Sequence, residues 1–257
     1  MIKLSKRLEW IAREVPEGSR LADIGSDHAL LPSYLAANGV IVSGVAGEVN
    51  EGPYEAASRQ VRSAGLKHVI DVRLGDGLAV IEPGEVDVIT IAGMGGALIV
   101  SILEAGKSKL KGVKRLVLQP NVGEPAVREW LLANGWVLIG ERILEEDGKI
   151  YEILTAVSAA ETGLEPEQMY APLVCADGRE VQRELLLLMG PYLTREASDV
   201  WRTKWTWELE KMDKICAQLR LSQTEAARAK EAEYRKEMNR IREVLAACTP
   251  KVKPSFN

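Results

Sequence analysis

Leu21-Ala-Asp-Ile-Gly-Ser-Asp-His-Ala-Leu-Leu-Pro32 is the stretch that most limits what this chain can fold into. Leu21, Ala22 and Ile24 form a short apolar run suited to a buried parallel strand, and Gly25 ends it at a turn where a side chain would obstruct a ligand. Asp23 stands beside the strand end and Asp27 just beyond it. The pattern from His28 to Asn38 predicts a helix, so the turn is also a helix N-terminus whose free N–H groups face the crevice. Strand, acidic turn and helix together read as a nucleotide site.

Two related sites are excluded by single positions. A dinucleotide fingerprint needs a second and a third Gly, and here Asp27 and Leu30 occupy those places. No Gly-Lys-Ser/Thr follows, so the turn is not a phosphate-binding P-loop. A ligand with a positive centre, an amino group and ribose hydroxyls suits an acidic turn, and S-adenosylmethionine has all three. For the turn taken alone, an ordinary structural strand–turn remains the alternative.

The rest of the first half repeats the unit. The run Val40 to Ala46 leads to Glu48, about 20 residues after the turn, which is the ribose-binding position of doubly wound folds. A helix from Pro53 to Ala64 precedes a strand from Val69 to Leu74 and Gly75-Asp76-Gly77, where Asp76 either accepts from an exocyclic amine or belongs to a plain turn. The strand Val86 to Ala92 runs into Gly93-Met94-Gly95-Gly96, a wall of bare backbone suited to a flat base. Gln119 and Asn121 flank Pro120 after the strand Leu116 to Leu118 and offer paired donors and acceptors for a base edge. After a helix from Glu124 to Asn134, strands Trp136 to Glu145 and Ile150 to Val157 meet at Asp147-Gly148, a hairpin signal. The expected fold is α/β: a doubly wound, class I (Rossmann-like) methyltransferase sheet whose last strand is inserted antiparallel.

Leu4, Leu8, Ile11 and Val15 predict an opening amphipathic helix whose other face, Lys3, Lys6, Arg7 and Arg13, is either solvated or in contact with substrate. With a net charge of -4, a polyanion must meet a local patch, and Lys107, Lys109, Lys111, Lys114 and Arg115 form the densest basic run. The polar segment from Ala159 to Pro166 suggests two domains, 1–160 and 161–257. In the second, Trp201, Trp205, Leu209, Met212, Cys216 and Leu219, then Tyr234, Met238, Ile241 and Leu245, predict two long helices paired as an antiparallel coiled coil. The Trp stripe is a packing seam or a base-stacking platform. The tail from Thr249 is expected to be loose. Three widely spaced cysteines, Cys175, Cys216 and Cys248, argue against a disulfide framework or a zinc site. The absence of an apolar leader or a membrane-length apolar run points to a cytoplasmic protein, expected to be monomeric and metal-free.

Asp-Ile-Gly-Ser-Asp-His-Ala at 23–29, Ala-Gly-Glu at 46–48, Gly-Asp-Gly at 75–77, Ile-Ala-Gly-Met-Gly-Gly at 91–96 and Leu-Gln-Pro-Asn at 118–121 follow one another at characteristic intervals. With Leu-Ser-Lys-Arg-Leu at 4–8 and Leu-Glu-Glu-Asp-Gly-Lys at 144–149, the series resembles the bacterial tRNA (adenine-N1)-methyltransferases of the TrmK type, which act on position 22 of tRNA. The resemblance covers essentially the whole chain. It implies S-adenosylmethionine as cofactor and tRNA as partner. Gly25 and Ser26 would lie against the methionine part with Asp23, Asp27 and His28 beside them, Glu48 would hold the ribose, and Asp76 with Gly77 would frame the cofactor adenine. Gly93, Met94 and Gly95 would border the methyl-transfer cleft, with Gln119 and Asn121 counted among the cofactor contacts. Leu30 stands where relatives often carry Tyr. Asp27 and the backbone of Gly93 and Met94 are the expected acceptors for the target N6 amine, His28 either orients the base or is merely hydrogen-bonded, and Lys6, Arg7 and the Lys107–Arg115 run are expected on phosphates. A methyltransferase of protein or small molecules, or a non-catalytic tRNA-binding module, would share parts of this pattern.

Overall fold

The computed structural model describes residues 2–222 and 224–248. The tail from Thr249 lies outside them. Two compact units are present, Met1–Met169 and Tyr170–Asn257, so the division falls at 169/170 rather than at 160/161.

The first unit opens with α1 (Lys6–Arg13) and then alternates: β1 (Ser19–Ile24), α2 (Leu30–Ala37), β2 (Ile41–Glu48), α3 (Glu51–Ser63), β3 (Ile70–Leu74), β4 (Val88–Gly95), α4 (Gly96–Ala105), β5 (Arg115–Val122), α5 (Glu124–Ala133), β6 (Trp136–Glu146) and β7 (Lys149–Ser158). A short helix, α6 (Ala159–Thr162), packs back on β7 and carries the unit past the expected boundary. The strands form one sheet in the order β3-β2-β1-β4-β5-β7-β6. β7 lies antiparallel to both β5 and β6, as the hairpin signal predicts. The apolar runs become the core: Leu21, Ala22, Ile89, Ile91, Leu116 and Leu118 are all buried. Consequently the carboxyl ends of β1 to β5 share one edge, where β7 begins.

Local departures from the expected bounds have physical causes. α2 begins at Leu30 rather than His28 because Asp27, His28 and Ala29 are all left-handed, with φ of 45°, 67° and 54°. β4 continues past Ala92 to Gly95, since Met94 and Gly95 still pair with Pro120 and Val122. Gly96 is the glycine that packing demands there: an added Cβ would stand 2.1 Å from the Gly123 carbonyl oxygen. Behind the sheet edge, Arg128 of α5 lies fully buried between Glu141 of β6, at 2.7 Å, and Glu152 of β7.

The second unit contains a small hairpin, β8 (Leu173–Val174) with β9 (Glu180–Val181), and helices α7 (Arg183–Met189), α8 (Pro191–Glu196), α9 (Asp199–Leu219) and α10 (Glu225–Ala247). α9 and α10 are antiparallel: Arg220 pairs with Glu231 at 3.1 Å near their connection, and Arg202 reaches the Leu245 carbonyl at 3.1 Å at the other end. Trp201 is fully buried and its Nε1–H donates to the Met189 carbonyl at 2.9 Å, so this part of the Trp stripe is a packing face. Cys175 and Cys248 meet as free thiols 3.3 Å apart, despite their separation in sequence.

Candidate active site

The ends of β1, β4 and β5, together with α1 and the start of β7, enclose a cavity of about 360 Å³. Asp23, Gly25, Ser26, Asp27 and Leu30 form one wall, Ala92, Gly93, Met94 and Asn121 face them, and Arg7, Leu8 and Tyr151 close the mouth. The strand-end position follows from the sheet: carboxyl ends of neighbouring parallel strands leave a crevice where the order of connections reverses.

Asp23 forms the charged floor. It is 4% exposed, one of its oxygens accepts from Ser26 Oγ at 2.5 Å and the other from Thr90 Oγ1 at 2.6 Å. Burial outweighs both bonds and the nearby Arg7 cation, and raises the carboxyl pKa to about 6. Such a group gains from any cation delivered against it. Gly25 has φ 67°, and a Cβ there would meet Met94 Cε at 2.2 Å, so the Met94 side chain at the end of β4 lies directly against the bare backbone of the first turn.

The left-handed run Asp27-His28-Ala29 holds the wall in a conformation that costs about 1–2 kcal/mol for an ordinary non-glycine residue. Ala29 is buried and anchors the run, while Asp27 and His28 are exposed, with Asp27 Oδ1 3.6 Å from His28 Nε2. Asp27 borders the cavity; His28 stands outside its lining.

Glu48 closes β2 with a buried side chain, and one oxygen, Oε1, has no hydrogen-bond partner. A backbone hydrogen bond with Asp27 ties it to the first turn, and burial raises its pKa. A buried acceptor without a donor is an open place for a hydroxyl. Asp76 is exposed at the end of β3, and Gly77, with φ 51°, packs on Ile102 of α4, 3.0 Å from where its Cβ would be. These three positions lie at the ends of β2 and β3, outside the walls of the cavity itself. Gly95 faces open space where a Cβ would stand.

Gln119 and Asn121 play unlike parts. Gln119 is completely buried; its Oε1 accepts from Arg7 Nη1 at 2.5 Å and from the Gly93 N–H at 3.1 Å, and its Nε2 donates to the Pro120 carbonyl and to Asn121 Oδ1. Its amide bonds to protein groups and does not line the cavity, whereas the sequence pattern counts it among the cofactor contacts. Asn121 is exposed in the cavity wall and donates from Nδ2 to the Gly93 carbonyl at 2.8 Å.

The basic residues separate as well. Arg7 points into the cavity wall, its guanidinium 5.3 Å over the Tyr151 ring, and not outward with Lys6. Lys6 is exposed and donates to the Glu145 carbonyl at 3.1 Å. The Lys107–Arg115 run lies at the opposite edge of the sheet, where β5 begins, about 23 Å of strand away from the cleft. There Lys109 pairs with Glu82 at 2.9 Å, Lys107 lies 3.7 Å from Glu104, and Arg115 donates to the Glu14 carbonyl. Only Lys111 and Lys114 present exposed charges without such ties among the described residues. Thr90 and Tyr151 were not singled out from sequence. Tyr151 was within reach, because an antiparallel last strand begins at the ligand edge; Thr90 has no sequence mark beyond a lone hydroxyl in an apolar strand.

The model of the tRNA (adenine(22)-N(1))-methyltransferase family TrmK matches residues 21–243. The Bacillus subtilis (strain 168) tRNA (adenine(22)-N(1))-methyltransferase is 46% identical over 245 residues, covering 95% of this chain and 98% of that protein. Its crystal structure superposes with a TM-score of 0.86 over 95% of this chain and 100% of that one. A Streptococcus pneumoniae relative, crystallised in complex with S-adenosyl-L-methionine, is 41% identical with a TM-score of 0.78, covering 95% and 100%. Sheet order, site geometry and these matches agree: the chain belongs to the TrmK family of tRNA (adenine(22)-N(1))-methyltransferases.

Proposed function

We infer that this protein transfers the methyl group of S-adenosylmethionine to N1 of adenine 22 in tRNA, as the B. subtilis relative's name states for that enzyme. The observation that carries the cofactor assignment is the unpartnered, buried Glu48 Oε1 at the end of β2, one residue past Gly47, whose carbonyl accepts from the Gly25 N–H in the cavity wall. S-adenosylmethionine supplies a methyl group on a positive sulfur, an ammonium, a carboxylate, ribose hydroxyls and an adenine. The residues match these groups in order along the strand ends: Asp23 for the ammonium with Gly25 and Ser26 alongside, Glu48 for the ribose, Asp76 and Gly77 for the adenine. Arg7, the cation in the same wall, suits an anionic group entering the cleft.

The target base would enter between Asp27, Gly93 and Met94. Neutral adenine N1 has a free lone pair, so no general base is needed. The protein's contribution is to align the base and to accept hydrogen bonds as positive charge moves onto it. Adenine 22 lies within folded tRNA, and extracting it costs a few kcal/mol that contacts to the backbone must offset. Lys6, exposed beside the cleft, is placed for one of these. We take the enzyme to act in the cytoplasm as a monomer. Titration calorimetry tests the cofactor site: Glu48→Ala should weaken S-adenosylmethionine binding about tenfold to a hundredfold while keeping the fold, because it removes a buried acceptor that only the ligand satisfies. Unchanged affinity would remove Glu48 from the site.

A further inference from the structure

Three cleft residues, Arg7, Gly93 and Asn121, are joined by one buried amide. Gln119 Oε1 receives two N–H donors, from Arg7 and from Gly93, which fixes which end of the amide is oxygen. Its Nε2 must then donate, and does so to Asn121 Oδ1 at 3.1 Å and to the Pro120 carbonyl at 2.9 Å. Asn121 is thereby oriented with Nδ2 on the Gly93 carbonyl. Gln119, Gly93 and Asn121 thus close a ring of hydrogen bonds that ties the end of β5 to the end of β4.

The ring leaves defined vacancies. A carbonyl or side-chain amide oxygen accepts two hydrogen bonds, and both the Gly93 carbonyl and Asn121 Oδ1 have one filled by the ring. Two acceptor positions remain on adjacent groups, and both residues line the cavity. An exocyclic amine carries two N–H donors.

We propose that Gln119 is a positioning residue for methyl transfer, holding the Gly93 carbonyl and Asn121 where together they receive the N6 amine of the target adenine. The proposal rests on the adenine-N1 reading above. In the transfer the N1 lone pair forms the new N–CH₃ bond, the C–S bonding pair stays on sulfur, and the positive charge passes to the adenine ring, with no proton removed. That charge makes the N6–H groups stronger donors, so the paired acceptors hold the transition state more tightly than the ground state. The same pair opposes guanine, which presents O6 there, an acceptor facing acceptors.

The test compares wild type, Asn121→Ala and Gln119→Glu on two tRNAs, one with adenine at position 22 and one with purine there, which keeps N1 and lacks the amine. Gln119→Glu keeps an acceptor for Arg7 and Gly93 but has no N–H for Asn121, so it perturbs the orientation with the buried contacts retained. Cofactor affinity, measured by calorimetry, should stay near wild type in both variants. On the adenine tRNA, kcat should fall about tenfold to a hundredfold, more than KM changes. On the purine tRNA wild type should be slower, and neither variant should lose appreciably more. The double variant should be no slower on adenine than Asn121→Ala alone, because one residue acts through the other. Equal losses on adenine and purine, or additive losses in the double variant, would overturn the proposal while leaving the enzyme's activity established. Failure of wild type to methylate adenine N1 at all would instead overturn the functional reading beneath it.

Discussion

Asp23 shows how a single residue can be placed against stability for the sake of a ligand. Its carboxyl, buried with two hydroxyl partners, has a pKa raised to about 6 from the ordinary aspartate value of 3.8. Between those values the folded state holds a proton that the unfolded chain releases, so stability from this group is present below about pH 4 and is lost as pH rises to 6. The shift corresponds to about 3 kcal/mol at neutral pH as an upper bound. Asp23→Asn should therefore raise the melting temperature of the ligand-free protein at pH 7, with little gain at pH 4, while cofactor affinity falls at least about tenfold. Thermal melts at the two pH values alongside calorimetry check this; a destabilised variant at pH 7 would contradict it. A cation bound against the wild-type carboxyl lowers its pKa, so cofactor binding near pH 6 should release protons, visible as a binding enthalpy that depends on the buffer. Of this, the presence of an acid at the strand end was legible in the sequence. Its burial was not, since that depends on Thr90, a residue 67 positions away.

At the scale of elements, local patterns predicted the sheet well because buried parallel strands leave continuous apolar runs and a strand–turn–helix unit repeats. Boundaries failed where backbone conformation overrode pattern. Three consecutive left-handed residues delay α2, and glycines that read as a break continue β4. Contacts that join distant elements were invisible: Gln119 reads in the sequence as a ligand contact and not as a hub, and Arg7 as one of a basic face, solvated or on substrate, and not as the partner of Gln119 and Tyr151. The buried Arg128–Glu141–Glu152 cluster is the strongest such case, linking α5 to β6 and β7 with all three side chains inaccessible. Arg128→Met leaves two carboxylates buried and should cost about 3–5 kcal/mol in denaturant unfolding. Replacing all three residues with Met and Leu should recover most of that loss, since desolvating the ions offsets much of their attraction. Recovery tests the ion cluster directly; a triple variant as unstable as the single one would mean that packing shape, not charge, decides.

For the whole molecule, the consequence of a doubly wound sheet is that chemistry gathers at one edge. The residues proposed for cofactor and target base, and Arg7, all lie at the carboxyl-end edge of the sheet, and the most basic stretch of the sequence lies at the other. Substituting Lys109, Lys111 and Lys114 together with Gln should therefore change the salt dependence of tRNA binding by less than one counterion, whereas Lys6→Gln should flatten the slope by about one. A slope reduced by two or three in the triple variant would show that tRNA wraps to the far edge. The central claim, however, is the reaction and its site. The most direct measurement is transfer from methyl-labelled S-adenosylmethionine to unmodified tRNA, with the labelled nucleoside identified and mapped, in parallel with a tRNA carrying guanine at position 22. One N1-methyladenosine per tRNA, at position 22 and absent from the guanine variant, is the predicted result. Label at another position or on another atom, or no transfer by protein shown to bind the cofactor, would contradict the account.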